Sequence, residues 1–223
     1  MPKKYIVGRV DIGSLHLDIL PDFLDGIEIR DGKLDGRAQG HLWCHNNKLT
    51  TLKGSPHIID GNYNGSINRL TKLEIKNTIV KGNFNCSVNL LTNLVGAPID
   101  VRGMFLCTDN QLTTLEGAAD CIIGSGFFCC GNQLPDLRHA PSSVGGDFYC
   151  TYNKLKSLVG APTHIVGVFN CSQNRLESLE GCPKSVGGDF VCQEQVDKEG
   201  YSTLNVTEED IRAVCDVKGK VLL

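Results

Sequence analysis

At 223 residues, with 41% hydrophobic and 21% charged side chains, the chain has the balance of a folded globular protein and not that of a disordered one. A formal net charge of −3 excludes a broad basic surface of the kind that grips a phosphate backbone, so nucleic acid is not an expected partner. No apolar run reaches membrane-spanning length and residues 1–9 lack the apolar core of a signal peptide, so a cytoplasmic protein without membrane association is expected.

Residues 1–39 are expected to form an N-terminal cap. An alternating stretch over 5–12 leads into Leu15-His16-Leu17-Asp18-Ile19-Leu20-Pro21, a degenerate first repeat. The glycine- and charge-rich stretch 30–40 breaks the pattern and reads as a bulged loop.

Residues 40–195 hold eight tandem repeats of 21–22 residues. Cys44, Cys86, Cys107, Cys129, Cys150, Cys171 and Cys192 recur in register, with Gly65 in the cysteine position of the second copy. Two residues earlier stand Leu42, Tyr63, Phe84, Phe105, Phe127, Phe148, Phe169 and Phe190. Three residues after the cysteine comes asparagine, at positions 47, 68, 89, 110, 132, 153 and 174, followed by two leucines at fixed offsets. A small-Pro corner such as Gly160-Ala161-Pro162 follows, and each unit closes on Val or Ile and a glycine. Aromatic-x-Cys reads as a short strand sending both side chains inward. The asparagine amide suits an internal ladder that satisfies buried backbone groups. One such unit cannot bury its own apolar face, so the units must stack, and eight strands give a solenoid roughly 40 Å long.

The pattern resembles the leucine-rich-repeat signature, with Phe and Cys at two of the usual leucine positions. The variant LxGAPxxVGGDFxCxxNxL, in residues 158–176 and 179–192, is similar to repeat proteins encoded by tailed bacteriophages and related bacteria. The resemblance implies a mainly β repeat solenoid: a parallel strand ladder with short irregular convex segments. It also implies a phage-encoded protein acting in the host cytoplasm.

Residues 196–223 are expected to cap the other end, the whole forming one structural domain. Thr207-Glu208-Glu209-Asp210 is a helix start with an acidic first turn. Ile211, Val214 and Cys215 share a face, the helix stops near Gly219, and 220–223 returns as a strand.

Chemistry is sparse. The ladder cysteines read as buried apolar filler, since zinc ligand pairs sit a few residues apart and these do not. His41 and His45 face one side of their strand and Cys44 the other, so they cannot converge on a metal. Asp147 and Asp189 stand in equivalent positions and fit a solvated repeat position, not a catalytic pair. Sequons at Asn64, Asn85, Asn170 and Asn205 read as chance products of an Asn/Ser-rich repeat. No catalytic motif, cofactor or metal is expected, and the chain does not read as an enzyme.

What remains is the outward face of the ladder. Leu106, Phe128 and Tyr149 occupy the same central position on three consecutive strands, a contiguous apolar patch outside the core. With Trp43, Met104, Cys130, Thr151 and Tyr152 they form the expected partner-binding surface. The leading expectation is a non-catalytic protein-binding module whose partner, through the resemblance, is a bacterial host protein such as a defence factor. The alternatives are a structural protein that self-associates or contacts a virion component, and a module that sequesters a small ligand or nucleotide.

Overall fold

The computed structural model describes residues 6–7, 10–11, 13, 37–196 and 199–223. The degenerate repeat over 15–21 and most of the loop over 30–40 lie outside the described residues. In chain order the strands are β1 (Ile6–Val7), β2 (Val10–Asp11), β3 (Arg37–Gln39), β4 (Leu42–Trp43), β5 (Ile58–Ile59), β6 (Tyr63–Asn64), β7 (Ile79–Val80), β8 (Phe84–Asn85), β9 (Asp100–Val101) and β10 (Phe105–Leu106). They continue with β11 (Ile122–Ile123), β12 (Phe127–Phe128), β13 (Ser143–Val144), β14 (Phe148–Tyr149), β15 (His164–Ile165), β16 (Phe169–Asn170), β17 (Ser185–Val186) and β18 (Phe190–Val191). Helix α1 (Glu208–Val214) precedes β19 (Asp216–Val217) and β20 (Val221–Leu222).

Odd-numbered strands form one ten-stranded parallel sheet and even-numbered strands a second, each pairing with its counterpart one repeat on. The protein is a parallel β-solenoid with little helix. The even sheet is the aromatic-x-Cys ladder. The odd sheet joins it where each repeat closes on Val or Ile, because that one inward side chain is enough to seat two residues against the core. Ile59, Val80, Val101, Ile123, Val144, Ile165 and Val186 line it, all buried.

Tyr63 and the six inward phenylalanines of the even sheet stack as one column, ring centroids 5.1–5.9 Å apart and every ring fully buried. Each ring removed from water contributes on the order of 2–3 kcal/mol. The ladder thiols are buried beside them and donate weakly to the next repeat's carbonyl, as in Cys107 Sγ to Phe128 O at 3.4 Å. Burial pushes Cys44 up to about 12, so these groups stay as neutral filler.

The asparagine ladder holds adjacent turns together. Asn110 Nδ2 donates to Cys107 O and to Cys86 O of the preceding repeat, both at 3.1 Å, while its Oδ1 accepts from Leu91 N at 3.1 Å. The pattern recurs at Asn89, Asn132, Asn153 and Asn174. In the eighth repeat Gln195 does the same work, accepting from Leu176 N and donating to Cys171 O.

Just before that asparagine the chain adopts a left-handed backbone in every repeat. Asn46, Ile67, Val88, Asp109, Gly131, Tyr152, Gln173 and Glu194 have φ between 52° and 64°. The turn folds the asparagine inward, and only one repeat uses the glycine that this conformation favours. The β-branched Ile67 and Val88 carry the largest steric cost there.

The C-terminal segment forms the last turn. Thr207 caps α1 in a capping box with Asp210. The helix ends at Val214, earlier than Gly219, because Cys215 is extended and leads directly into β19. Ile211 and Cys215 are buried, but Val214 is exposed: a seven-residue helix turns only one narrow stripe to the core. Val221–Leu222 pairs with β18 as the returning strand.

Candidate interaction surface

On the even sheet's outer face each repeat presents three side chains: one before the inward aromatic, one after it, and one after the cysteine. Their roles differ. In the first row a side-chain acceptor takes the backbone N–H of its counterpart in the next repeat: His41 Nδ1 from Asn62, Asn62 Oδ1 from Asn83, Asn83 Oδ1 from Met104, at 2.8–2.9 Å. Asp147 Oδ1 accepts likewise from Val168, and Asp189 Oδ1 from Lys220, both at 2.8 Å. These two aspartates are therefore half-buried structural acceptors, not merely solvated positions. The sequence pattern hid this second ladder because its members alternate among His, Asn and Asp.

Three repeats also use the middle and last rows on themselves. Asn64, Asn85 and Asn170 each accept through Oδ1 from the backbone N–H of the serine two residues on, at 2.9–3.1 Å. This is the local turn that Asn-x-Ser favours, and it accounts for those sequons. Ser87 and Ser172 pass the connection on, their Oγ accepting from Thr108 N and Gln193 N.

Between these Asn-x-Ser repeats lies the apolar patch. Leu106, Phe128 and Tyr149 are half-buried on adjacent strands in direct register, Leu106 opposite Phe128 and Phe128 opposite Tyr149. The Phe128 and Tyr149 rings stack at 5.1 Å with planes 16° apart. Phe128 lies over Gly126, where a Cβ would stand 2.5 Å from its ring. Met104, 39% exposed, and Tyr152, 62% exposed, flank the patch, with Cys130 and Thr151 in the third row. Met104 and Gly126 supply no side-chain acceptor, so the structural ladder of the first row lapses under the apolar island. The role of Gly126 as a seat for Phe128 was not legible in the sequence, where Gly124-Ser125-Gly126 resembles an ordinary corner.

No family model and no curated protein matches the chain.

Of the eight expected contact residues, seven are gathered in this patch. Trp43 is not among them: it lies on β4, three strands from β10 and so roughly 14 Å from Leu106 at ordinary strand spacing. It packs instead between His41 and His45, centroids 6.2 and 6.1 Å away, which do share the outer side of their strand.

The patch has little reactivity of its own. Burial raises the Cys130 thiol above its ordinary value despite a hydrogen bond with Thr151, and burial likewise raises the Tyr149 hydroxyl. Among the described residues no three His, Cys, Asp or Glu side chains are placed to hold a metal ion. None of their helices is long and apolar enough to cross a membrane. A groove of about 610 Å³ lies away from this face, at the corners lined by Lys76, Pro98, Ile99, Glu116, Asp120 and His139.

Proposed function

We propose that the protein is a non-catalytic protein-binding module whose outer even sheet engages its partner through Leu106, Phe128 and Tyr149. The observation that carries this reading is the exchange made in these repeats. The first-row acceptor is missing at Met104, Gly126 and Val168; at the first two of these, both in the patch, the middle row presents apolar surface, with Phe128 stacked on Tyr149. A preordered aromatic pair on a rigid sheet loses little entropy on binding and suits the buried centre of an interface. The pattern's resemblance to phage-encoded repeats adds that the partner is a bacterial host protein, such as a defence factor; that part rests on the resemblance.

Affinity capture from bacterial lysate with the wild-type chain and with Phe128→Ala/Tyr149→Ala tests the reading. The expected outcome is a protein captured by the wild type and lost from the variant, with the variant's unfolding midpoint nearly unchanged. Undiminished capture by the variant refutes this placement of the interface. A self-associating structural protein would instead show a wild-type dimer by light scattering that the same variant dissociates.

A further inference from the structure

Four of the eleven cysteines lie off the aromatic-x-Cys ladder: Cys121, Cys130, Cys182 and Cys215. Cys121 is buried, donating to Pro98 O at 3.1 Å, and Cys130 belongs to the outer patch. Cys182 and Cys215 are thirty-three positions apart in sequence but are brought together by the last turn of the solenoid.

Cys215 ends α1, its N–H donating to Ile211 O at 2.9 Å, and the next residue opens β19. That strand pairs with β17, Asp216 opposite Ser185, with Asp216 N donating to Lys184 O at 2.9 Å. Cys182 sits three residues before β17 in the Gly181-Cys182-Pro183 corner, fixed by its N–H to Leu179 O at 3.0 Å. The register thus delivers both side chains to one corner of the core, where the two thiols lie close enough to influence each other's ionisation. Cys182 is only half-buried, so the pair is open to solvent on one side. Cys171 and Cys192 are also neighbours, but both are sealed in the interior, at 0% and 3% exposure.

We propose that Cys182 and Cys215 are a disulfide-forming pair that covalently fastens the C-terminal turn to the last full repeat under peroxide. The neighbouring Cys182 thiol lowers the Cys215 thiol, in contrast to the upward shift of the ladder thiols, so Cys215 attacks first. Its thiolate attacks one peroxide oxygen, giving a sulfenic acid and hydroxide. The Cys182 sulfur then attacks the Cys215 sulfur and displaces the sulfenic oxygen, which leaves as water. Two thiols are oxidised, one peroxide is reduced to two waters, and both thiol protons end in water. A dithiol reductant reverses the bond.

The full-length chain is treated with a small excess of hydrogen peroxide, unfolded in N-ethylmaleimide and digested with trypsin. The expected product is a reducible cross-link between peptides 176–184 and 213–218, with the remaining cysteines alkylated. Oxidation is also expected to raise the unfolding midpoint of the last turn by on the order of 10 °C, since the bond closes a loop of more than thirty residues. Cys182→Ala should abolish both effects while folding normally, because Ala97, Ala140 and Ala161 fill the matching corners of other repeats. Recovery of Cys182 and Cys215 as separately alkylated or overoxidised residues overturns the proposal, as does an unchanged cross-link yield involving ladder cysteines.

Discussion

Replacing Asn110 with alanine removes four hydrogen bonds from the centre of the solenoid, and the structure says which of them matter. Cys86 O accepts from both Asn89 and Asn110, and Cys107 O from both Asn110 and Asn132, so each carbonyl keeps one donor. Thr108 O loses a bond at 3.2 Å that is partly exposed. The buried Leu91 N–H is different, since Asn110 Oδ1 is its acceptor across the repeat boundary. An unsatisfied buried N–H costs about 1–3 kcal/mol and each of the three lost donor bonds about 1 kcal/mol, so Asn110→Ala should destabilise the protein by about 4–6 kcal/mol. Asn110→Asp keeps the acceptor and loses the donors, aiming a carboxylate at three carbonyl oxygens, and should cost at least as much at neutral pH. Urea unfolding followed by far-ultraviolet circular dichroism and by the single tryptophan, Trp43, measures both variants and tests whether distant repeats unfold together. A loss below about 1 kcal/mol for the alanine variant would refute the view that this ladder holds the turns.

Two other outcomes follow from features of single repeats. Val88→Asn should stabilise by about 1 kcal/mol, because asparagine tolerates the left-handed backbone that a β-branched residue enters at a cost; an unchanged or lower urea midpoint would count against strain there. Asp60 lies between Arg37 and Lys81, with Arg37 Nη2 and Lys81 Nζ both 2.8 Å from Oδ1, and the Arg37 hydrogen bond above all pulls its carboxyl down to about 2. A depressed carboxyl stabilises the fold above its unfolded value near 4 and loses that contribution as pH falls toward 2. The stability difference between wild type and Asp60→Asn should therefore be full at pH 6 and vanish near pH 2, and a difference that persists in acid would contradict this assignment.

The sequence makes some parts of this architecture plain and conceals others for physical reasons. Phe-x-Cys and the asparagine recur because a fully buried column accepts few replacements, so the even sheet and the internal ladder are legible from spacing alone. The odd sheet is signalled by only one inward Val or Ile per repeat, too little for a strand pattern. Gln195 breaks the asparagine series by letter while keeping the same amide chemistry. The outer ladder of His41, Asn62, Asn83, Asp147 and Asp189 shares only an acceptor atom, which three residue types supply equally well. Within the patch, the central positions of Leu106, Phe128 and Tyr149 could be read from alternation. The separation of Trp43 could be counted in strands, but its enclosure by two histidines and the seating of Phe128 over Gly126 needed side-chain positions.

The Asn-x-Ser repeats on either side of the patch limit what it can hold. Three strands at the usual spacing, crossed by the three outward positions of each, enclose about 200 Å². A stable protein–protein contact takes about 800 Å² from each side. A durable partner must therefore reach beyond the apolar island, over the asparagine-bearing turns and the Tyr152 ridge, where it meets groups already committed to their own backbone. Those turns would contribute fit and water exclusion more than attraction, leaving the attraction to three side chains. Exchanging the middle-row residue of one or two repeats would then redirect such a surface to a different partner without disturbing the turns beneath it.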